Sequence, residues 1–154
     1  MNHTEVITVK NLEEKTEYLL KFCLSSICAI LSSDGGSIMI VDDDGKNLTV
    51  AAAAGSNKHD AIGKKVVVGE RVSGKAAKTM ASVLIKGEVD VNSDKHFRGM
   101  KKYENISSGM SVPFIKNGKA RGVINIKRTE QTESLTQENV ETVEIIAREL
   151  ALAL

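Results

Sequence analysis

The segment GMSVPFIKNGKARGVINIK, residues 109–127, contains the strongest structural signal in the chain. Two largely apolar runs, 109–115 and 120–127, lie on either side of the four-residue turn 116–119. The Asn-Gly pair in this turn readily adopts the positive φ angles that a tight hairpin turn demands. The segment therefore predicts a β-hairpin.

A second hairpin is predicted nearer the N-terminus. Residues 37–41 and 48–54 are apolar runs of strand length, and the turn 42–47 between them contains an Asp-Gly pair. The three aspartates of this turn lack the alternate spacing and the later bidentate Glu of a calcium loop. We interpret them as solvated turn residues.

The segments between and after these hairpins mix short strands with one helix. Residues 65–68 and 82–86 predict strands, and a helix is predicted from Ser73, whose hydroxyl is a suitable N-cap. Residues 57–60 form a polar loop. Residues 90–107 are polar and weakly patterned, which predicts a loop with a short helix.

Amphipathic helices are predicted at both ends of the chain. In residues 11–32 and 136–154, apolar residues recur at intervals of three and four. Thr136 is the predicted N-cap of the last helix, but Asn139 stands where a capping box has Glu or Gln, so we expect an incomplete box. Residues 1–10 are expected to form an N-terminal tail.

The order of these elements predicts an α+β fold. Hairpins without regular βαβ alternation favour a mainly antiparallel sheet with helices packed on it. The length of 154 residues is within the usual span of one domain, and the sequence contains no internal repeat or linker. We therefore expect a single domain over residues 1–154.

Composition and charge exclude several classes of protein. With 21 basic and 20 acidic residues, the chain lacks the positive charge that nucleic acid or an anionic membrane surface requires. The N-terminus does not resemble a signal peptide, and no apolar run is long enough to cross a bilayer.

Cys23 and Cys28 are five residues apart on a predicted helix, so they cannot form a disulfide with each other. Free thiols and the lack of a targeting signal predict a cytoplasmic protein.

Residues 69–76, GERVSGKA, nearly match a phosphate-binding loop. Ala76 stands where that loop needs a Ser or Thr hydroxyl to hold magnesium, and no βαβ core surrounds it. We interpret the segment as a strand exit followed by a helix start. Backbone N–H groups at that start, near Arg71 and Lys75, are expected to attract an anionic ligand group.

Neither a metal site nor a catalytic set is expected. His3, His59 and His96 lie in separate polar segments without ligand spacing, so we expect no metal and no cofactor. For a haem, only His96 would be a candidate axial ligand. The two cysteines have two interpretations, as apolar fillers or as redox thiols, and we favour the first.

The chain resembles the GAF family over residues 19–154, through the order and spacing of its segments. These segments are SIMIVDDDG (37–45), LTVAAAAG (48–55), IG (62–63), VGERVSGKAA (68–77), GMSVPF (109–114), GVINI (122–126) and LTQEN (135–139). The resemblance implies a GAF/PAS-like antiparallel sheet of about six strands. It also implies terminal helices on one face and a ligand pocket on the other, roofed by a pocket helix and a variable loop.

Positions in the family pattern imply a ligand site for a small molecule. Its residues would be Met39, Arg71, Val72, Ser73, Phe97, Ser108, Met110 and Asn125. The signature of cyclic-nucleotide-binding members is largely broken, because Ile126 follows Asn125 and Leu135 replaces Phe. Cyclic nucleotides are therefore not expected as ligands.

Three hypotheses for the function follow. The first is a non-catalytic sensory module of a signal-transduction protein, which binds a small ligand and signals through its terminal helices. The resemblance implies a homodimer through those helices and an output domain beyond Leu154, a residue that the last apolar stripe reaches without a helix stop. The second is a ligand-free dimerisation scaffold. The third is a redox enzyme of the methionine sulfoxide reductase type, which would depend on the two cysteines.

Overall fold

A computed structural model describes residues 4–6, 12–56, 58–89, 106–129 and 133–154. These residues form four helices and six strands. In chain order they are α1 (Leu12–Leu31), β1 (Gly35–Val41), β2 (Asn47–Ala54), α2 (Lys58–Ala61), β3 (Lys65–Val67), α3 (Arg71–Thr79), β4 (Val83–Val89), β5 (Ile106–Lys116), β6 (Lys119–Arg128) and α4 (Gln137–Ala153).

The six strands form one sheet in the order β3-β2-β1-β6-β5-β4, and every neighbouring pair is antiparallel. Both predicted hairpins are present, as β1–β2 and β5–β6. At the β5–β6 turn, Asn117 has a φ of 54° and Gly118 a φ of 74°, as the Asn-Gly pair predicted. The predicted α+β fold with a six-stranded antiparallel sheet is confirmed.

One face of the sheet packs against the two terminal helices. Alternate residues of the central strands, such as Ile38, Val112 and Ile124, are fully buried beneath α1 and α4. From the helices, Ile27 and Val143 are equally buried in the same cluster. This cluster is the main core.

The opposite face has a smaller apolar cluster beneath α3. Met39, Val50 and Val123 from the strands pack there with Ala76 and Ala77 of the helix. The small alanine side chains let α3 lie close to one part of the sheet. The rest of that face stays open for a cavity.

Several local predictions are corrected by the structure. The helix α3 begins at Arg71 rather than after Ser73, and Glu70 occupies its N-cap position without a side-chain cap. The capping box of α4 is complete, because the Thr136 hydroxyl accepts the Asn139 N–H at 3.2 Å and the Asn139 side chain accepts the Thr136 N–H at 2.9 Å. A short helix, α2, occupies part of the predicted polar loop.

The predicted loop and short helix at 90–107 fall mainly outside the described residues, as do His3 and His96. Within the described part, β5 already begins at Ile106, earlier than the predicted start at 109. No helix among the described residues is both long and apolar enough to cross a bilayer.

We predict that Gly74→Ala destabilises the fold by displacing α3. A Cβ at Gly74 would lie 2.4 Å from the Val67 carbonyl oxygen and 3.1 Å from the Gly69 nitrogen, so the helix must move away from β3. The free energy of unfolding in urea should fall by about 1–3 kcal/mol.

Lys75→Ala, at the next position of the same helix, is the control because Lys75 is exposed. It should change the unfolding free energy by less than about 0.5 kcal/mol. Equal stabilities of the two variants would contradict the close contact between α3 and β3.

Candidate functional site

A cavity of about 700 Å³ lies on the sheet face opposite the terminal helices. The central strands form its floor, and α2, β3 and the first turn of α3 contribute to its walls. Its lining includes Asp34, Ser37, Met39, Val50, Ala53, Lys58, Lys64, Lys65, Arg71, Val72, Ser73, Ile106, Ser111, Asn125, Lys127 and Thr129. The volume falls within the usual range of small-molecule sites.

A row of hydrogen-bonded polar side chains crosses the cavity floor. Ser37 of β1, Asn125 of β6 and Ser111 of β5 are cross-strand neighbours. The Ser111 hydroxyl donates to Oδ1 of Asn125 at 2.6 Å, and Nδ2 of Asn125 donates to the Ser37 hydroxyl oxygen at 3.1 Å. We call these three residues the polar row. They offer a ligand hydrogen-bonding groups that are already fixed in position.

The N-terminus of α3 lies at the cavity, where Arg71, Val72 and Ser73 contribute to the lining. Arg71 has a φ of 55°, in the left-handed region that a residue with a Cβ seldom adopts. Glu70 makes no side-chain cap, so the side chain at the N-cap position does not satisfy the first N–H groups of the helix. The arrangement suits a negatively charged group.

Basic side chains dominate the charged part of the described lining. Five basic residues and one acidic residue line the cavity: Lys58, Lys64, Lys65, Arg71 and Lys127, with Asp34. Lys65 forms an ion pair with Asp42 at 3.2 Å. The hydrogen bond from the Thr49 hydroxyl, at 2.7 Å, and then the hydrogen bond and charge of Lys65 lower the pKa of the Asp42 carboxyl. Asp42 therefore helps to hold Lys65 beside the cavity.

The structure brings together five of the eight residues that the family pattern implied. Met39, Arg71, Val72, Ser73 and Asn125 lie on the lining, and their role in ligand binding stays a prediction. Phe97 lies outside the described residues.

The structure corrects the prediction that Ser108 and Met110 belong to the ligand site, because both lie on the other face of β5. Met110 is 2% exposed in the main core, and the Ser108 hydroxyl accepts the Leu135 N–H at 3.0 Å, just before α4. Side chains alternate between the faces of a strand, so a position one residue away from the true one is on the wrong face. Ser111, next to Met110, lines the cavity instead.

Sequence reasoning missed Ser37, Ser111 and the lysines at 58 and 64. For Ser37 a signal was present, since it is a polar residue in the otherwise apolar strand β1, and such a position belongs to the face that is not the dry core. For Ser111 the polarity was not a sufficient signal, because Ser108 of the same strand is also polar and lies on the core face. The two lysines belong to a polar segment whose position relative to the sheet had no sequence signal.

One edge of the cavity is connected to both terminal helices. The Asp34 carboxylate accepts the Thr129 N–H at 3.1 Å and also the Thr129 hydroxyl, and both residues line the cavity. Beside Thr129, the Arg128 guanidinium donates to the backbone carbonyls of Leu31, the last residue of α1, and of Glu133, shortly before α4. We call this group the Arg128 clamp.

The cysteines lie away from the cavity. Cys23 and Cys28 are free, half-buried on α1, and packed against the main core. Burial raises the pKa of the Cys23 thiol, which lowers its thiolate fraction and its reactivity near neutral pH. Within the described ranges, no group of His, Cys, Asp and Glu is arranged to hold a metal ion.

The fold and the cavity define a class of α+β domain with a small-molecule cavity on one sheet face and the terminal helices on the other. The family model for the GAF domain matches residues 14–154, and the chain belongs to this family. GAF domains are in general sensory or regulatory modules, and they commonly occur in multidomain signalling proteins. A comparison with curated proteins gave no match.

Solved structures share the fold at low sequence identity. The GAF domain/HD domain protein from Geobacter sulfurreducens has a TM-score of 0.75 at 10% identity, over 89% of this chain and 90% of that one. The GAF domain of the Acinetobacter phosphoenolpyruvate-protein phosphotransferase has a TM-score of 0.74 at 15% identity, over 88% and 80%. The type II free methionine-R-sulfoxide reductase from Thermoplasma acidophilum has a TM-score of 0.74 at 17% identity, over 92% and 94%. At these identities the likeness shows the fold alone.

We predict that Asp42→Asn lowers stability more at pH 7 than at pH 3. The folded pKa of Asp42 is below its unfolded value of about 3.9. Its ionised form therefore stabilises the fold above the unfolded pKa, and this contribution is lost as the pH falls through the folded pKa. Urea unfolding of the wild type and the variant at both pH values measures the difference.

Asp43→Asn is the control, because Asp43 is an exposed aspartate in the same turn. It should reduce stability less than Asp42→Asn at pH 7. The contact with Thr49 and Lys65 would be unimportant if both variants followed the wild-type pH profile.

Proposed function

We propose that this GAF domain is a non-catalytic sensory module that binds a small molecule in the cavity and signals through α1 and α4. The cavity, with its polar row and basic lining, is the observation that carries the proposal. The ligand would select one arrangement of the terminal helices rather than undergo a reaction.

The lining supports ligand binding because it combines apolar and polar groups. Met39, Val50 and Val72 offer apolar surface, whereas Asn125 and Arg71 offer directed hydrogen bonds. Sites for small organic molecules have this composition, in which apolar contact supplies affinity and a few polar groups fix the orientation.

The Arg128 clamp supports signalling through the helices. A ligand that changes the Asp34–Thr129 contact acts beside the residue that binds the end of α1 and the chain leading into α4.

The positions of the cysteines support a non-catalytic role. Both thiols lie on α1 against the main core, and the described cavity lining contains no cysteine. One structural neighbour is a methionine-R-sulfoxide reductase, but a redox enzyme of that type would need reactive thiols at its substrate site.

Exposed apolar side chains on the terminal helices support a homodimer. Phe22 of α1 is 71% exposed and Leu152 of α4 is 74% exposed, and Tyr18, Ile30 and Ile145 are also exposed. A second chain or a following segment would cover such residues. The proposed whole is a cytoplasmic signalling protein with an output domain linked to α4.

The same exposed residues favour a second candidate, a ligand-free dimerisation scaffold. The two candidates differ in their response to ligands, since any ligand that prefers the folded state must stabilise it. Native mass spectrometry of the purified protein tests for a co-purified ligand, and a thermal-shift screen of metabolites follows. At a concentration 100 times Kd, a ligand should add about 2.7 kcal/mol of stability.

This gain corresponds to a rise in Tm of roughly 5–10 °C for a domain of this size. A dimer that carries no small molecule and shows no thermal shift with any compound would support the scaffold and overturn the sensor.

We predict that Arg128→Lys uncouples ligand binding from the terminal helices. A lysine keeps the charge but lacks the planar fork that contacts two carbonyls at once. With a compound that raises Tm, ligand-induced protection of α1 and α4 in hydrogen exchange should be lost, whereas the affinity should change little.

Arg148→Lys, at an exposed position of α4, is the matched control and should retain the protection. Unchanged protection in Arg128→Lys would show that the clamp does not transmit the signal.

A further inference from the structure

We infer that the cavity takes a small organic anion, with its negative group at Arg71 and its polar part on the polar row. This inference rests on the proposed function, because it names the chemical class of the ligand for the same cavity. Three separate features of the lining support it.

The first feature is the charge of the lining. Lys65 forms an ion pair with Asp42, and the Asp34 carboxylate accepts a hydrogen bond from Thr129. Among the described residues, Lys58, Lys64 and Arg71 form no ion pair. A cavity with unpaired positive charge attracts anions and disfavours cations.

The second feature is the backbone of Arg71. A residue with a Cβ is strained at a φ of 55°, and glycine would adopt this conformation without strain. The chain nevertheless has arginine here, at a position that lines the cavity. Strained residues concentrate at ligand-binding sites, where the side chain has a use that offsets the strain. The guanidinium, with its five donors, suits a carboxylate or phosphate oxygen.

The third feature is the combination of the polar row with apolar surface. In the polar row, the Ser37 oxygen accepts from Asn125, which leaves its hydroxyl proton to donate to a ligand. Met39, Val50 and Ile106 line the same space, and a cavity of about 700 Å³ is far larger than an inorganic ion. These residues match an anion with a hydrocarbon body and a second polar group.

Two dyes with nearly the same aromatic body provide the test. One is 8-anilinonaphthalene-1-sulfonate, an anion, and the other is N-phenyl-1-naphthylamine, which lacks the sulfonate. Fluorescence titration of the full chain should give tighter binding of the anion, by at least about tenfold, at low salt. Raising the salt concentration should weaken the binding of the anionic dye and leave the binding of the neutral dye unchanged.

Variants show whether the charge at the cavity is responsible. Arg71→Ala and Arg71→Gly should each lower the affinity for the anionic dye by about tenfold or more, and Lys64→Ala should lower it by less. Arg71→Gly relieves the strained φ, so its Tm should equal or exceed that of the wild type. Such a Tm would exclude unfolding as the cause of weaker dye binding. Arg121→Ala and Lys46→Ala, at exposed positions outside the cavity lining, are the matched controls and should bind both dyes as the wild type does.

Ala53→Phe fills part of the cavity and shows where the dyes bind, because Ala53 is a lining residue. Loss of both dyes in a folded Ala53→Phe protein places them in the cavity. If the wild-type cavity binds the two dyes equally and Arg71→Ala has no effect, the preference for an anion is overturned. The proposed ligand-binding function would remain intact. No binding of the anionic dye to the wild type would also overturn it, and the thermal-shift screen would then judge the proposed function independently.

Discussion

The hydrogen bonds of the polar row join Ser37, Asn125 and Ser111 across three neighbouring strands in the middle of the sheet. An amide and two hydroxyls in this position cannot face a close-packed apolar core without losing hydrogen bonds, and each unsatisfied group would cost about 1–3 kcal/mol. The face that contains them therefore suits a cavity better than a dry core. The main core forms on the other face, where α1 and α4 cover the sheet.

The division of the sheet into two faces also explains where the helices attach. The apolar residues that alternate with the polar row contact α1 and α4, so the sheet is the common boundary of the cavity and the main core. At the edge, Asp34, Arg128 and Thr129 connect the cavity to the carbonyls at the end of α1 and before α4. Coupling between a site and a distant element requires a physical link with more than one arrangement, and this group is a candidate for it.

Particular residues show how far the sequence could be interpreted. The Asn-Gly turn and the alternation of strands β5 and β6 are local signals, and both hairpins formed as predicted. Met110 and Ser111 show the limit, because a family pattern implied Met110 for the cavity and the structure places its neighbour there. At α4, Asn139 completes a capping box that usually needs a longer side chain. At α3, the helix begins two residues before the predicted cap and places Arg71 at the cavity.

The sequence by itself determined the elements, the α+β class, the GAF family and the apolar character of the terminal helices, because these follow from short-range periodicity, turn residues and ordered spacing. Only the tertiary structure decided which charges meet at the cavity. Lys58 lies in α2, Lys64 lies between α2 and β3, and Arg71 lies in α3. Arg128 reaches a carbonyl that is 97 residues distant in the chain. Contacts of this kind depend on strand order and on the side of the sheet that each element occupies, and no local pattern encodes them.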